Sequence, residues 1–195
     1  MTGVPQETDE QIIARLRGGE ERAFELLVQR YRSRVQRLAL RFMRSREEAE
    51  EVSQEVFLTI YRKLAQFEGK SSFSTWLYRV AVNASLMRLR SQEQTETVPI
   101  DELAGDLVGD EEENVRPPDS RLHSEEALAQ IERAMENLPE EFKTIIILRD
   151  IEDFSNEETA EIMDLSVAAV KSRLHRARGY LRKRLEEVYR ESTGK

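Results

Sequence analysis

Residues 154–185, FSNEETAEIMDLSVAAVKSRLHRARGYLRKRL, decide the fold of the second half of this chain. Ser155 and Glu158 have the spacing of a capping box, which predicts a short helix that ends near Met163. A tight turn follows, and Ser166 is a good N-cap for a second helix. Two short helices around a turn, the second of them rich in arginine, predict a helix-turn-helix.

The second of these helices separates an apolar stripe from a basic face. Val170, Leu174, Ala177 and Leu181 lie within about 60° of one another on a helical wheel. The side chains predicted to point outward are Lys171, Ser172, Arg173, His175, Arg176 and Arg178. Such a basic face favours phosphate, and Arg and Ser near a helix start can reach base edges. A solvated cationic face is the alternative, but the capped turn in front of it favours DNA.

An acidic segment precedes this half of the chain. The 195 residues carry a net charge of −8, and residues 93–121 contain ten acids and two bases, so they account for all of it. The segment also holds Pro99, Pro117 and Pro118 and has no sustained helical period, which predicts a flexible, self-repelling linker. The chain therefore divides into two small helical domains, residues 1–92 and 122–195.

The first domain is predicted to be all-α, because no segment shows the alternation of a strand. Helices are expected over residues 9–17, 21–43 and 46–67, and a fourth begins after the loop 68–72. Apolar residues at three- and four-residue steps give the second helix its core face: Phe24, Leu27, Val28, Tyr31, Val35, Leu38 and Phe42.

The stretch SSFSTWLYRVAVN at residues 71–83, in which the fourth helix begins, contains the single Trp of the chain. Trp76, Arg79, Asn83 and Arg90 lie within an arc of about 60° on a helical wheel. An aromatic ring, an amide and two guanidiniums can stack a base, bond its edge and hold phosphate, which suits single-stranded nucleic acid. On composition alone, filling of the domain core is the stronger interpretation of the Trp.

The third helix carries a row of acidic side chains. Glu47, Glu51 and Glu55 are four residues apart, and Gln54 stands beside the last of them. Like charges at this spacing repel mildly, so the row could serve a basic partner. A plain solvated face fits the same residues equally well.

Composition argues against enzymatic chemistry. The chain has no Cys and only two His, so a metal site would depend on carboxylates alone. It has no Gly-rich phosphate loop and no nucleophile–base pair, so we expect no catalysis, no cofactor and no small-molecule substrate. The N-terminus lacks the features of a secretory signal, and no apolar run reaches membrane-spanning length, so a cytoplasmic location is expected.

Five motifs occur in an order and spacing that resemble the extracytoplasmic-function class of bacterial sigma factors. They are GGEERAFELLVQRY, EEAEEVSQEVFLTIYRKLAQFEG, FSTWLYRVAVN, LPEEFKTIIILRDIEDFSNEETAEIM and VAAVKSRLHRAR. The resemblance covers nearly the whole chain. It implies a subunit that binds core RNA polymerase, directs it to promoters and helps to open the DNA. The first domain would meet the −10 element and the second the −35 element.

The resemblance also assigns roles to residues. Glu51, Gln54 and Glu55 match the surface that docks on the polymerase β′ coiled coil, although the family often has Asp where Glu51 stands. The loop of residues 67–75 looks like the one that captures a flipped base. The residues expected at the −10 element and in melting are Phe67, Ser72, Phe73, Trp76, Arg79, Asn83, Arg88 and Arg90. The outward set of residues 171–178 falls on the −35 recognition helix.

The resemblance further implies an anti-sigma factor that clamps both domains and holds the protein inactive. The alternative to a sigma factor is a stand-alone helix-turn-helix regulator. Such a regulator would bind duplex DNA tightly without polymerase and would give Trp76 no DNA role. The acidic linker argues against it, since an isolated regulator has little use for a mobile anionic spacer.

Overall fold

The structure, a computed structural model, describes residues 7–92, 131, 134–135 and 138–193, with the side chains of all but 92 and 187–193. The described chain is helical and has no strand, which confirms the all-α prediction. It divides into two compact units. The predicted linker of residues 93–121 and most of residues 122–137, the start of the second predicted domain, lie outside the described residues.

Four α-helices form over the described residues 7–92. They are α1 (Asp9–Arg17), α2 (Ala23–Leu40), α3 (Arg46–Lys63) and α4 (Phe73–Gln92). The third helix ends earlier than predicted, because the backbone tightens into a 3₁₀ turn over Leu64–Gln66.

Side-chain caps fix the starts of α1 and α3. Thr8 and Gln11 form a reciprocal capping box at α1. The hydroxyl of Ser45 accepts a hydrogen bond from the backbone N–H of Glu48 at α3. Each cap satisfies a backbone donor that a helix start leaves unpaired. Because the caps set where each helix begins, they also set which of its side chains face the core.

The contacts between helices fix their directions. Phe24 near the start of α2 touches Tyr61 near the end of α3, with ring centroids 5.1 Å apart, so these helices are antiparallel. Arg88 near the end of α4 pairs with Glu51 near the start of α3, so α3 and α4 are antiparallel as well.

Residues 138–193 contain the helix-turn-helix. Their elements are α5 (Glu140–Ile146), a π-helical continuation over Ile147–Ile151, α6 (Asn156–Met163) and α7 (Val167–Thr193). The predicted capping box is confirmed: the Ser155 N–H donates to Glu158 at 2.8 Å, and the Glu158 N–H donates to the Ser155 hydroxyl at 3.1 Å.

The turn between α6 and α7 follows the sequence prediction. Asp164 has φ 55°, a left-handed conformation that Asp tolerates better than most residues. The Ser166 hydroxyl accepts the Ala169 N–H at 3.2 Å and caps α7. The apolar stripe of α7 is buried at Val170, Leu174 and Ala177. The opposite, polar side of α7 therefore carries the candidate DNA contacts.

Candidate nucleic-acid interface

An aromatic cluster stands at the start of α4. The Phe73 ring lies 5.9 Å from the rings of both Phe67 and Trp76, and the Phe67 and Trp76 rings are 5.1 Å apart. Phe73 is only 2% exposed. A ring this buried offers little surface to DNA, so Phe73 supports Trp76 in this structure, and its direct contact with DNA stays a prediction. Trp76 and Phe67 are half-buried and keep part of their surface in solvent.

A buried tyrosine supports this cluster from α2. The Tyr31 ring lies 5.6 Å from that of Phe73, and its hydroxyl donates to the carboxylate of Asp9 in α1. Arg30 pairs with the same carboxylate. Burial raises the pKa of Tyr31 most, and the hydrogen bond to Asp9 raises it further. The phenol therefore stays protonated and can donate. The cluster is thus anchored through two further helices.

The other residues predicted for the −10 element lie along α4 and the loop before it. Ser72 caps α4, since its hydroxyl accepts the Thr75 N–H at 3.1 Å. Arg79 is half-buried, whereas Asn83 and Arg90 are exposed. Because α4 continues without a break, the wheel positions predicted for these side chains hold. Tyr78, by contrast, is 4% exposed and belongs to the core.

The acidic face of α3 is exposed at Glu51, Gln54 and Glu55. Glu51 forms an ion pair with Arg88 of α4. The structure therefore brings one residue predicted for polymerase binding and one predicted for DNA binding into contact.

A groove of about 510 Å³ runs between α2 and α3 beside Gln54. Leu58 and Tyr61 on its wall are 56% and 49% exposed. Phe24 and Val28, which the sequence places in the core, are half-buried and line the same groove. Sequence reasoning missed this site. Its signal was the position of Leu58 and Tyr61, apolar residues that lie off the buried stripe of α3.

The polar side chains of the recognition helix α7 form two groups. Some are exposed and have no described contact, and others contact residues of α5 or of the turn that follows it. Lys171, Ser172 and His175 are exposed. Arg173 pairs with Glu141 of α5 at 2.7 Å. Arg176 is half-buried, with its guanidinium carbon 6.0 Å from the centre of the Phe142 ring, a cation–π geometry.

Arg178 is exposed but pairs with a carboxylate. Its Nε and Nη2 donate to the two oxygens of Asp150 at 3.1 and 2.6 Å. The Asp150 hydrogen bond raises the pKa of Arg178. A fork-to-fork pair of this kind fixes geometry, which makes Arg178 a clamp between α7 and the π-helical turn.

We predict that Asp150 and Arg178 are energetically coupled. Asp150→Asn, Arg178→Gln and the double variant should give a coupling energy of up to about 1 kcal/mol, modest because both side chains are partly exposed. Urea unfolding at low and high salt measures it. Additive effects of the two changes would show that the pair contributes nothing to stability.

Comparison with known proteins identifies the family of this chain. The sigma-70 region 2 model matches residues 27–95, and the sigma-70 region 4 model matches residues 128–181. These two regions comprise more than half of the chain. The chain belongs to the extracytoplasmic-function (ECF) sigma factors. Sigma factors direct promoter-specific transcription initiation and are not enzymes.

Curated relatives extend the match over nearly the whole of this ECF sigma factor. It is 35% identical to the RNA polymerase sigma-H factor of Pseudomonas aeruginosa, across 96% of this chain and 98% of that one. It is 37% identical to the ECF RNA polymerase sigma-E factor of Haemophilus influenzae, across 94% and 98%.

Solved structures share the fold. CnrH, solved in complex with the cytosolic domain of CnrY, superposes with a TM-score of 0.67 and 24% identity, covering 93% of this chain and 99% of that one. The sigma factor RpoE of Bartonella quintana, solved with the anti-sigma factor NepR, gives 0.60 and 21%, covering 84% and 96%. Among the described residues, no helix combines the length and apolarity that a membrane span requires.

Proposed function

We propose that this ECF sigma factor docks on core RNA polymerase through α3, reads and opens the −10 element with α4, and reads the −35 element with α7. It would act in the cytoplasm, where transcription takes place. One observation carries the assignment. An exposed acidic face on α3 and a half-exposed Trp platform on α4 lie on adjacent helices of one unit, and Glu51 of α3 pairs with Arg88 of α4.

The docking surface combines charge with an apolar groove. Glu51, Gln54 and Glu55 supply acceptors, while Leu58 and Tyr61 offer exposed apolar area beside them. A partner helix with basic residues along one edge and apolar anchors at helical spacing fits such a site. The β′ coiled coil of the polymerase is the partner that we propose.

The melting surface is the exposed part of the aromatic cluster. Trp76 is held from below by the buried Phe73, so its ring is fixed before DNA arrives. A fixed aromatic surface stacks an extruded base with little loss of side-chain entropy. Extruding a base costs a few kcal/mol, and stacking on Trp76 would offset part of that cost.

We propose a −35 surface with fewer residues than the sequence analysis predicts. We assign Lys171, Ser172 and His175 to it because they are exposed, and Arg176 because its stacking on Phe142 fixes its direction. Arg173 and Arg178, which pair with Glu141 and Asp150, would position α7 instead. Contacts to base edges then give specificity, and contacts to phosphate give affinity.

We predict that Arg176→Ala weakens binding to the −35 element by about 1–3 kcal/mol, because a guanidinium at a base edge contributes that much discrimination. Affinity of holoenzyme for the correct element and for one with a substituted base pair measures the effect. The matched control is Arg178→Ala, which should leave the base preference unchanged. An equal loss on both elements would mean that Arg176 contacts phosphate only.

We further propose that an anti-sigma factor holds this protein inactive. The family resemblance supports it, as do the complexes of CnrH with CnrY and of RpoE with NepR. The groove beside Leu58 and Tyr61 could receive a segment of such a partner and block polymerase at the same time.

The test of the function is transcription in vitro with core RNA polymerase, with and without this protein, on a library of promoter fragments. Defined start sites that appear only with the protein would support the assignment and reveal both promoter elements. Duplex binding without any start site would favour the stand-alone regulator and remove the melting role of Trp76.

A further inference from the structure

The C-terminal end of α1 contacts the loop that precedes α4. The guanidinium of Arg17 donates a hydrogen bond through Nη2 to the backbone carbonyl of Phe67. The two residues are 50 positions apart in the sequence, so only the tertiary fold brings them together. None of the interfaces described above uses Arg17. Its contact with Phe67 nevertheless joins α1 to the aromatic cluster.

Arg17 extends from a helix that is itself fixed in place. Ile12 and Ile13 of α1 are 0% and 4% exposed, so the helix is anchored in the core. It ends directly after Arg17, where Gly18 and Gly19 turn the chain. Gly19 has φ 90°, a conformation that glycine adopts without the steric cost of a side chain. A guanidinium held at an anchored helix end can restrain the atom that it binds.

The N-terminal end of α1 reaches the same cluster by another route. Asp9 accepts the hydrogen bond of the Tyr31 hydroxyl, and the Tyr31 ring packs on Phe73 at 5.6 Å. Arg17 lies eight residues after Asp9, or about 12 Å along the helix axis. One helix therefore supports the cluster at two separate points, Phe73 from its first turn and Phe67 from its last.

The Phe67 carbonyl stands where the chain leaves a helical turn and enters the loop of residues 67–72. The 3₁₀ turn Leu64–Gln66 ends there, and the backbone of Phe67 is extended, with ψ 107°. A carbonyl at such an end has lost its helical partners, and the Arg17 guanidinium supplies a charged donor instead. At the far end of the loop, Ser72 caps α4. Side-chain hydrogen bonds thus restrain both ends of the loop.

A loop restrained at both ends needs little reordering when it binds a ligand. The Phe67 ring lies 5.1 Å from that of Trp76, so the position of the Phe67 backbone also determines what surrounds the proposed base platform. Without the Arg17 bond the loop gains conformations, and every base meets a less defined surface. Preorganised contacts favour the correct base, because the cost of ordering the loop is not taken from its binding energy.

We propose that Arg17 is a positioning residue for base selection at the −10 element. It holds Phe67, and with it the loop of residues 67–72, in the conformation that accepts one base and rejects the others. Arg17 acts through Phe67 and does not touch the DNA. The assignment rests on the proposed −10 role of the loop and of Trp76, and it adds a residue of α1 to that site.

The test compares Arg17→Met with Arg22→Met. Both replace an exposed arginine by an uncharged side chain of similar length, and Arg22 lies in the turn before α2. The first measurement needs no DNA. Because Trp76 is the only Trp of the chain, acrylamide quenching of Trp fluorescence in the full-length protein reports on the surface beside Phe67. Quenching should increase in Arg17→Met and stay at the wild-type level in Arg22→Met, while urea unfolding changes little in either.

The second measurement uses holoenzyme assembled from core RNA polymerase and each variant. The probe is a fork-junction DNA with a single-stranded −10 segment, taken from a promoter that the transcription assay recovers, with each of the four bases placed in turn at every −10 position. Fluorescence anisotropy gives Kd. In Arg17→Met, discrimination at one −10 position should fall about two- to tenfold, the range expected for the loss of one hydrogen bond. Affinity for the least preferred base should change little.

Four results would overturn the assignment. Unchanged quenching in Arg17→Met would show that Arg17 does not hold the loop, and increased quenching with wild-type discrimination would show that the loop does not select the base. An equal loss of affinity for all four bases would mean that Arg17 contacts DNA or polymerase directly. The same changes in Arg22→Met would reflect charge alone. If the wild-type protein supports no transcription, the proposed function fails, and quenching still decides whether Arg17 holds the loop.

Discussion

Charge reversal at Glu51 and Glu55 is expected to abolish binding to core RNA polymerase while the helical fold remains intact. Both side chains are exposed on α3, on the side away from its buried stripe of Val52, Val56 and Ile60. A lysine in place of each glutamate would face the basic residues expected on the partner, and like charges across an interface cost several kcal/mol. We expect Kd to rise by more than about a hundredfold, or about 3 kcal/mol.

Equilibrium binding of labelled protein to core enzyme measures this effect, and urea unfolding of each variant checks the fold. The matched control is Glu21→Lys/Glu25→Lys, which makes the same change of charge on exposed residues outside the docking surface. Control and wild type should bind alike. Unchanged affinity of the Glu51→Lys/Glu55→Lys variant would refute the docking assignment.

The apolar part of this surface should contribute to docking in a way that does not depend on salt. Leu58→Ser removes an exposed side chain from the groove wall, so it should weaken docking with little cost to stability. Unlike the loss caused by charge reversal, this loss should persist at high salt, because ionic screening acts on charges and not on apolar contacts. Equilibrium binding to core enzyme across a salt series measures both variants.

The helices and their caps could be predicted from the sequence because both depend on neighbours in the chain. The capping box of Ser155 and Glu158 and the N-cap at Ser166 rest on spacings of three residues. The buried stripe of α7 rests on helical periodicity alone. Such local signals survive folding because tertiary contacts did not compete with them.

The contacts that Phe73 and Arg178 make could not be predicted, because they depend on residues far away in the chain. Phe73 is buried because Tyr31 of α2 packs against it. Arg178 is paired because the π-helical turn places Asp150 beside it. No residue near Arg178 in the sequence indicates that ion pair. The groove likewise forms only where α2 and α3 meet. An exposed position on a helical wheel therefore says which side chains are available, and not which are already engaged.

Replacement of Trp76 is expected to give the second large effect, a loss of promoter opening that exceeds the loss of stability. Stacking of a base on an aromatic ring contributes about 1–3 kcal/mol, so Trp76→Leu should reduce the open fraction roughly fivefold to hundredfold. Leucine keeps apolar packing against Phe67 and Phe73 but offers no flat π surface. Trp76→Phe retains a smaller ring and should restore much of the opening.

Two measurements separate a stacking role from a packing role. Permanganate reactivity of −10 thymines reports opening by holoenzyme, and urea unfolding reports the stability of each variant. If Trp76 serves DNA, the Phe and Leu variants differ in opening far more than in unfolding. If Trp76 only fills the cluster with Phe67 and Phe73, the loss of opening in each variant should be proportional to its loss of stability. If Trp76→Leu opens the promoter as well as the wild type does, Trp76 has only a packing role. That is the interpretation that composition alone favours.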